Sequence, residues 1–292
     1  MSRFKKLCLV LFFALALILN ACSSLPEDQS LPVTVVDVKH GDCILLQSPS
    51  GETMMIDTGN GSYHAQNAIE TAMQNNGMDH IDILVLTHPH KDHIGGAAWV
   101  LNTYPVGSVY TTTRSNDTDL YRTVQTTIAD KGLTPQYLTQ GSSFSFGPVA
   151  INALSPYDVN DEEINNTSIV LQMTFGQTKL LFMGDAEKAA EETLLQTYGD
   201  GLRSTFLKVG HHGIDAATQE FLQAVQPTVS VVSKDDAEGY SDKKQKKQEK
   251  AFEHILENGS KLYRTDVEGT ITLTFSQNNA YDVSYTCLLY TF

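Results

Sequence analysis

The sequence predicts an α/β sandwich of four layers, αββα: two mixed β-sheets packed face to face, with helices on both outer faces. Three observations predict it. Short apolar strand-like runs bunch towards both ends of the chain, with helical stretches between them. The chain divides into two similar halves, each ending strand runs in polar, His- or Asp-bearing loops. At 292 residues and 41% hydrophobic content it has ample apolar material for one large core.

Taken in order, the first half opens with strands predicted over Val33–Val38, Cys43–Gln47 and Met54–Asp57, joined by Gly- or Pro-marked turns. A helix over His64–Gln74 precedes an apolar strand, Ile83–Leu86. Helices near Ala97–Asn102 and Leu120–Lys131 then alternate with strands at Val106–Thr111 and Pro135–Leu138. The second half begins with strands at Val149–Leu154, Thr167–Thr174 and Lys179–Met183, then a helix over Glu187–Leu195 and a strand over Thr205–Val209. It continues with helix Gln219–Val225, strand Thr228–Val232 and a Lys-rich helix to Glu257. Strands at Lys261–Arg264, Thr270–Phe275 and Val283–Leu288 complete it.

The N-terminus reads differently. Leu7–Leu19 is an uninterrupted apolar run of 13 residues behind Arg3, Lys5 and Lys6. That is the charge order of a secretory signal, and it falls short of the roughly 18 residues that span a bilayer. Leu19-Asn20-Ala21-Cys22 resembles a bacterial lipoprotein signal, in which the Cys is acylated and becomes N-terminal. The alternative is an ordinary secretory signal followed by a free Cys. The expected organisation is a signal over 1–21, a flexible linker over 22–31 with Cys22 as lipid anchor, and one domain over 32–292. A lipoprotein of this kind is held on the extracytoplasmic face of the membrane. Cys43 and Cys287 lie in strand-like runs and read as buried thiols, and no Cys spacing suggests a metal site.

The formal net charge is −14. The leader contributes three basic residues and no acid, so what remains without it is more acidic still. Bulk charge therefore argues against a broad basic footprint for nucleic acid, unless metals or a local basic patch reverse the field at the site. The one basic run is Lys243-Lys244-Gln245-Lys246-Lys247-Gln248-Glu249-Lys250, readable as a solvated helix face or as a contact for an anionic polymer. No aromatic residues interleave with its lysines. Tyr240 just before it is a lone candidate for stacking on a base or a choline group.

The densest chemistry follows strand Ile83–Leu86, in His88-Pro89-His90-Lys91-Asp92-His93. In an extended segment residues i and i+2 share a side, so His88 and His90 converge on one point. Pro89 keeps the backbone between them extended. The turn into the next helix swings Asp92 and His93 to a second point nearby. Imidazoles with a carboxylate suit Zn²⁺, and also Mn²⁺ or Fe²⁺. Asp185, after the strand Lys179–Met183, reads on local grounds as an N-cap for the helix that follows.

His-x-His-x-Asp-His after an apolar strand resembles the metallo-β-lactamase superfamily. Ile56-Asp57-Thr58-Gly59, Met183-Gly184-Asp185 and His211-His212-Gly213 resemble its other motifs. The likeness is closer to the metallo-β-lactamase domain of ComEC-type competence proteins. Val36–Leu46, Asn165–Leu171, the His-His-Gly segment and Tyr263–Ile271 carry it, across about residues 33–275. The resemblance implies two divalent metal ions, Zn²⁺ or Mn²⁺, held by His88, His90, Asp92, His93, Asp185 and His212. It implies that Asp57 and Asn166 stand behind the ligands, and that Asp92 and His211 act in catalysis. His211 would meet the substrate phosphate while His212 holds metal, or the two exchange roles.

Three departures from the family pattern bear on the substrate. Asn165-Asn166 stand where the superfamily offers a His, as in ComEC-type domains. Lys39-His40 replace the usual Gly-Gln, and Glu238–Lys244 replaces a conserved-looking family segment.

The implied function is a binuclear hydrolase, with a metal-bridging hydroxide attacking a phosphodiester of DNA or a phosphorylated wall polymer. Two alternatives are a surface phosphorylcholine-type esterase or other ester or lactone hydrolase, and a ligand-binding lipoprotein with a vestigial metal site. The resemblance makes Asp185 a carboxylate bridging the two metals, and that arrangement argues against β-lactam hydrolysis.

Overall fold

The structure, a computed structural model, describes residues 29–157, 161–235 and 240–286. The signal, Cys22, most of the linker, Glu238 and Cys287 lie outside the described residues. The first sheet contains β1 (Leu31–Val35), β2 (Ile44–Gln47), β3 (Thr53–Ile56), β4 (Ile81–Leu86), β5 (Val106–Thr111) and β6 (Gln136–Tyr137). Helices α1 (Tyr63–Asn75), α2 (Lys91–Ile94), α3 (Ala97–Thr103) and α4 (Asp119–Asp130) connect them. The second sheet contains β7 (Ser143–Phe146), β8 (Val149–Ser155), β9 (Val170–Phe175), β10 (Thr178–Phe182), β11 (Phe206–Lys208), β12 (Val229–Val232) and β13 (Lys261–Arg264). Its helices are α5 (Lys188–Tyr198), α6 (Gln219–Val225), α7 (Asp242–Glu257) and α8 (Thr265–Glu268). The chain then returns to the first sheet as β14 (Ile271–Phe275) and β15 (Tyr281–Tyr285).

The sheet orders are β15-β14-β1-β2-β3-β4-β5-β6 and β13-β12-β11-β10-β9-β8-β7. Each sheet is mixed: antiparallel up to β3 or β10, then parallel from β3 through β6 and from β10 through β13. Period-2 alternation sorts the side chains into layers. Ile44, Leu46, Met54, Ile56, Leu180, Phe182 and Phe206 point between the sheets. Cys43, Leu45, Met55 and Leu84 face α1, α3 and α4, and Leu181, Leu207 and Val209 face α5, α6 and α7. Both faces of the central strands are therefore covered, which makes their sequences nearly continuous apolar runs. Three apolar layers between four layers of structure give the αββα sandwich.

Three expectations are corrected. Thr270–Phe275 and the strand after it do not complete the second half. β14 pairs antiparallel with β1, Leu31 opposite Phe275, and the Thr34 and Thr272 hydroxyls lie 2.9 Å apart. Pairing between the two ends of the domain leaves no local trace in the sequence. The strand expected from Thr167 begins at Val170, because Ile164–Thr167 closes as a 3₁₀ turn with the Thr167 hydroxyl donating to Ile164 O at 2.6 Å. β7 was not expected, since only Phe144 and Phe146 mark it as a strand. Cys43 is a free, buried thiol, as its apolar surroundings imply.

Candidate metal centre

β4 delivers His88 and His90 to the carboxyl end of the first sheet, and the single turn α2 carries Asp92 and His93. β10 ends in Gly184-Asp185 on the facing sheet, and β11 leads into His211-His212. Strand ends of both halves thus meet at one edge of the sandwich. Gly184 has φ +54°, and a Cβ there would sit 3.0 Å from Ser168 Cβ, so only glycine fits this turn without displacing its neighbour. Gly41 has φ +118°, and its Cβ would fall 2.0 Å from the Asp92 carbonyl oxygen. That close approach lets the Asp42 amide donate to the same carbonyl at 3.2 Å.

Among the described residues, ligand-type atoms gather within 4.8 Å of one another in three groups: Asp92, His93, Asp185 and His212; His88, His90 and Asp185; and Asp42, Asp57 and His93, which lies behind the His93 ring. Asp185 is common to the first two. Its Oδ2 lies 3.1 Å from His93 Nε2 and 3.7 Å from His88 Nε2, and its Oδ1 lies 3.7 Å from His212 Nε2. Asp92 Oδ2 lies 3.5 Å from His212 Nε2 and 3.9 Å from His93 Nε2. His88 Nε2 and His90 Nδ1 are 3.1 Å apart. The N-cap of α5 is Glu187, so Asp185 does not cap that helix. Two residues separate it from the first turn, and its carboxylate is turned into the cluster instead.

The other faces of the ligand rings are held. His93 Nδ1 donates to Asp57 Oδ2 at 2.7 Å, and Asp57 also accepts from the Thr87 amide at 2.8 Å and the Thr87 hydroxyl at 2.7 Å. His212 Nδ1 donates to Ser233 O at 3.1 Å. Both rings thereby turn Nε2 to the cluster, the atom that ligates once a metal displaces its proton. His93 Nε2, His212 Nε2 and Asp185 Oδ1 are buried and make no hydrogen bond. Three inward-facing buried atoms without a partner are costly unless a cation satisfies them, so the residues present fit divalent metal.

Electrostatics follow from that crowding. Burial acts to raise the Asp185 carboxyl, but the His93, His212 and His88 imidazoles hold it well below the ordinary range. Burial likewise opposes ionisation of Asp92, and His212 and His93 outweigh it and hold it low. Burial and neighbouring His93 push His88 well below the usual histidine value, keeping it neutral. Burial would lower His93 and His212, but Asp185 and the other carboxylates raise both, His93 the more strongly.

His211 stands apart from both groups. Its Nδ1 lies 2.7 Å from Glu187 Oε1, and its side chain is 18% exposed, so it borders the centre with a solvent-facing edge. The 3₁₀ turn points Asn165, not Asn166, towards it: Asn165 Nδ2 donates to Glu187 Oε1 at 2.8 Å and lies 3.4 Å from His211 Nε2. Asn166 Oδ1 instead accepts from the Glu187 amide at 3.2 Å, one step removed from the cluster. His211 and His212 both have positive φ, 40° and 53°, a conformation strained for such residues and often tied to function.

Sequence reasoning missed three contributors. Glu187 orients His211. Lys208 and Asp42 form a fully buried ion pair at 2.8 Å, with Asp42 Oδ1 3.7 Å from His212 Nδ1. A lysine inside the apolar run Phe206–Val209 was the available signal for that pair. His64, His80 and His254 are engaged elsewhere, with Asp37 O, with Asp79 and with Ala217 O. The lysine run forms α7, whose buried side is Gln248, Ala251 and Ile255, and Gln248 donates to His212 O at 2.9 Å.

Residues 36–116 match the family described as Metallo-beta-lactamase superfamily. The chain is 26% identical to ComE operon protein 3 of Bacillus subtilis over 86% of its own length and 35% of that protein. It is 30% identical to Recombination protein 2 of Haemophilus influenzae over 69% of this chain and 24% of that one. With Competence protein ComA of Neisseria gonorrhoeae the identity is 29%, over 85% and 33%. The chain thus spans about a third or less of the length of these curated relatives. Among solved structures it resembles the metallo-β-lactamase fold protein YhfI of Bacillus subtilis, with a TM-score of 0.54 and 13% identity over 84% of this chain and 100% of that one. It also resembles CmlA, a diiron β-hydroxylase of Streptomyces venezuelae, with a TM-score of 0.56 and 16% identity over 87% and 55%. Identities this low speak to the fold alone, and a hydroxylase on it shows that the scaffold does not dictate the reaction.

Proposed function

From the premise that this chain carries a metallo-β-lactamase domain with competence-protein homologues, we propose that it is a binuclear metal-dependent phosphodiesterase acting on an anionic polymer, DNA or a phosphorylated wall polymer. The observation that carries the reading is Asp185, a buried carboxylate shared by two groups of ligand-type side chains. Asp92, His93, Asp185 and His212 would hold one ion, and His88, His90 and Asp185 the other. When bound, two divalent ions, Zn²⁺ or Mn²⁺, would supply positive charge for an anionic substrate and acidify water enough for it to serve as nucleophile near neutral pH.

The remaining roles belong to the chain's own side chains. His88, His90 and Asp185 are three ligand side chains against four in the other group, which would leave room there for a substrate oxygen. Asp92, at the edge of a groove of about 590 Å³ lined also by His40, Asn60 and Lys91, orients the reacting group. His211, fixed through Nδ1 by Glu187, directs Nε2 to a non-bridging oxygen and offsets charge gathering on it. The same proposal places the protein on the extracytoplasmic face of the membrane, tethered through Cys22.

Release of p-nitrophenolate from bis-p-nitrophenyl phosphate by the full chain loaded with zinc or manganese tests the reading. Turnover should fall by at least about 100-fold in His90→Ala and Asp185→Ala. A folded protein that binds two ions and cleaves carboxylic esters but no phosphodiester overturns it.

A further inference from the structure

His40 and Tyr240, one from each of two departures from the family pattern, meet at the rim of the metal centre although they lie 200 positions apart in the chain. The Tyr240 hydroxyl lies 3.0 Å from His40 Nδ1, and His40 Nε2 lies 3.3 Å from Asp92 Oδ2. One tautomer satisfies both contacts. With the phenol donating to Nδ1, the neutral ring carries its proton on Nε2 and donates it to the carboxylate. The His40 ring centroid is 5.9 Å from Tyr240 and 5.6 Å from His212, so the pair reaches from the rim to the ligands. The His40 side chain is 45% exposed and walls the groove that ends on Asp92.

The outer side of this wall is charged. Lys244, in the first turn of α7, holds its ammonium 5.8 Å from the Tyr240 ring centroid, inside cation–π range. An aromatic cage for choline would seat its quaternary ammonium against just such a ring. Here a lysine already sits there, so a cationic head group would meet like charge. A nucleoside flanked by phosphate would meet the opposite: a half-exposed imidazole for a planar base to stack on, with Lys91 lining the same groove and Lys244 beside Tyr240 to attract a phosphate.

We propose that His40 and Tyr240, backed by Lys244, form a specificity-determining wall that selects a phosphodiester flanked by a nucleoside over one bearing a quaternary ammonium. The inference rests on the phosphodiesterase reading above and names its substrate class. His40 has a second task, holding Asp92 in place through the Nε2 contact.

The test compares three substrates on the metal-loaded full chain: bis-p-nitrophenyl phosphate, the p-nitrophenyl ester of thymidine 5′-monophosphate, and p-nitrophenylphosphorylcholine. The wild type should prefer the thymidine ester to the choline ester by at least about tenfold in kcat/KM. Tyr240→Ala and Lys244→Glu should each cut that preference at least about fivefold, mainly through KM for the thymidine ester. His40→Gln should keep more of the preference than His40→Ala, because an amide still bridges a phenol and a carboxylate. Calorimetric titration of the metal-free protein with thymidine 3′,5′-bisphosphate and with phosphorylcholine gives the same ranking without turnover. A wild-type preference for the choline ester, or a thymidine preference unchanged within about twofold in both Tyr240→Ala and Lys244→Glu, overturns the proposal. Both substituted side chains are at or near the surface, and a melting curve shows that each variant is folded. If the metal-bound wild type cleaves none of the three diesters, the phosphodiesterase reading itself fails, and this inference with it.

Discussion

Asp57→Asn tests how the fold prepares its ligands. Asp57 is fully buried and accepts three hydrogen bonds, from His93 Nδ1 and from the amide and hydroxyl of Thr87. Asparagine has the same shape but one acceptor fewer, and it places an amide donor where two donors now point. His93 resolves the conflict by moving its proton from Nδ1 to Nε2, where it faces Asp185 Oδ2 at 3.1 Å in place of a lone pair. The group Asp92, His93, Asp185 and His212 then lacks one ligand. Losing such an outer hydrogen bond costs about 10- to 100-fold in metal affinity, or about 1.4 to 2.7 kcal/mol. Asp57 touches the His88–His90 group only through the Thr87 hydroxyl, 3.2 Å from His88 Nδ1, so the effect there is weaker. Equilibrium dialysis against graded zinc should show two ions per wild-type chain and one per variant at intermediate concentrations. Long-range ¹H–¹⁵N spectra should show His93 protonated on Nε2. A variant that binds two ions with affinities within about threefold of wild type, and an unchanged His93 tautomer, would refute the reasoning.

Two further outcomes concern stability. Lys208→Met strands the buried Asp42 carboxylate and should destabilise the protein by about 3–5 kcal/mol in urea unfolding, with Asp42→Asn in the same chain recovering most of the loss. A single-variant loss below about 1 kcal/mol would show that the pair is not the tie it appears in the geometry. Glu191 receives the Ala217 and Thr218 amides and the Thr218 hydroxyl, and burial pushes its carboxyl up to about 7 from 4.5. The folded state therefore keeps a proton that the unfolded chain releases first. Its stabilising contribution is complete below pH 4.5 and is lost as pH rises to about 7, a change of about 3 kcal/mol. Melting temperatures across that range should show the wild type losing ground to Glu191→Gln as pH rises, and a constant difference between them would contradict the shift.

Much of the site was legible locally because its chemistry is local. His88 and His90 share a side of one extended segment, and Asp92 and His93 share the following turn, so their grouping depends only on backbone geometry a few residues long. Central strands were legible for a similar reason: β4 and β10 are buried on both faces and so are apolar throughout. The order of the strands was not. β14 joins β1 across 240 residues of chain, and nothing in Ile271–Phe275 distinguishes one sheet edge from the other. The inward turn of Asn165 rather than Asn166 was equally hidden, since a 3₁₀ turn and a strand start place neighbouring residues on opposite sides.

By itself, then, the sequence determined which residue types could meet a metal, and that two sheets would bury one another. Hydrophobic periodicity and short-range geometry are written into consecutive residues. Only the tertiary structure decided that Asp185 is shared by both groups, that Glu187 steadies His211 and that Lys208 is paired with Asp42. It alone brought Tyr240 onto His40. Each of these depends on which strand ends converge, and that convergence comes from packing two sheets through a common core, a property of the whole chain that no window of sequence contains.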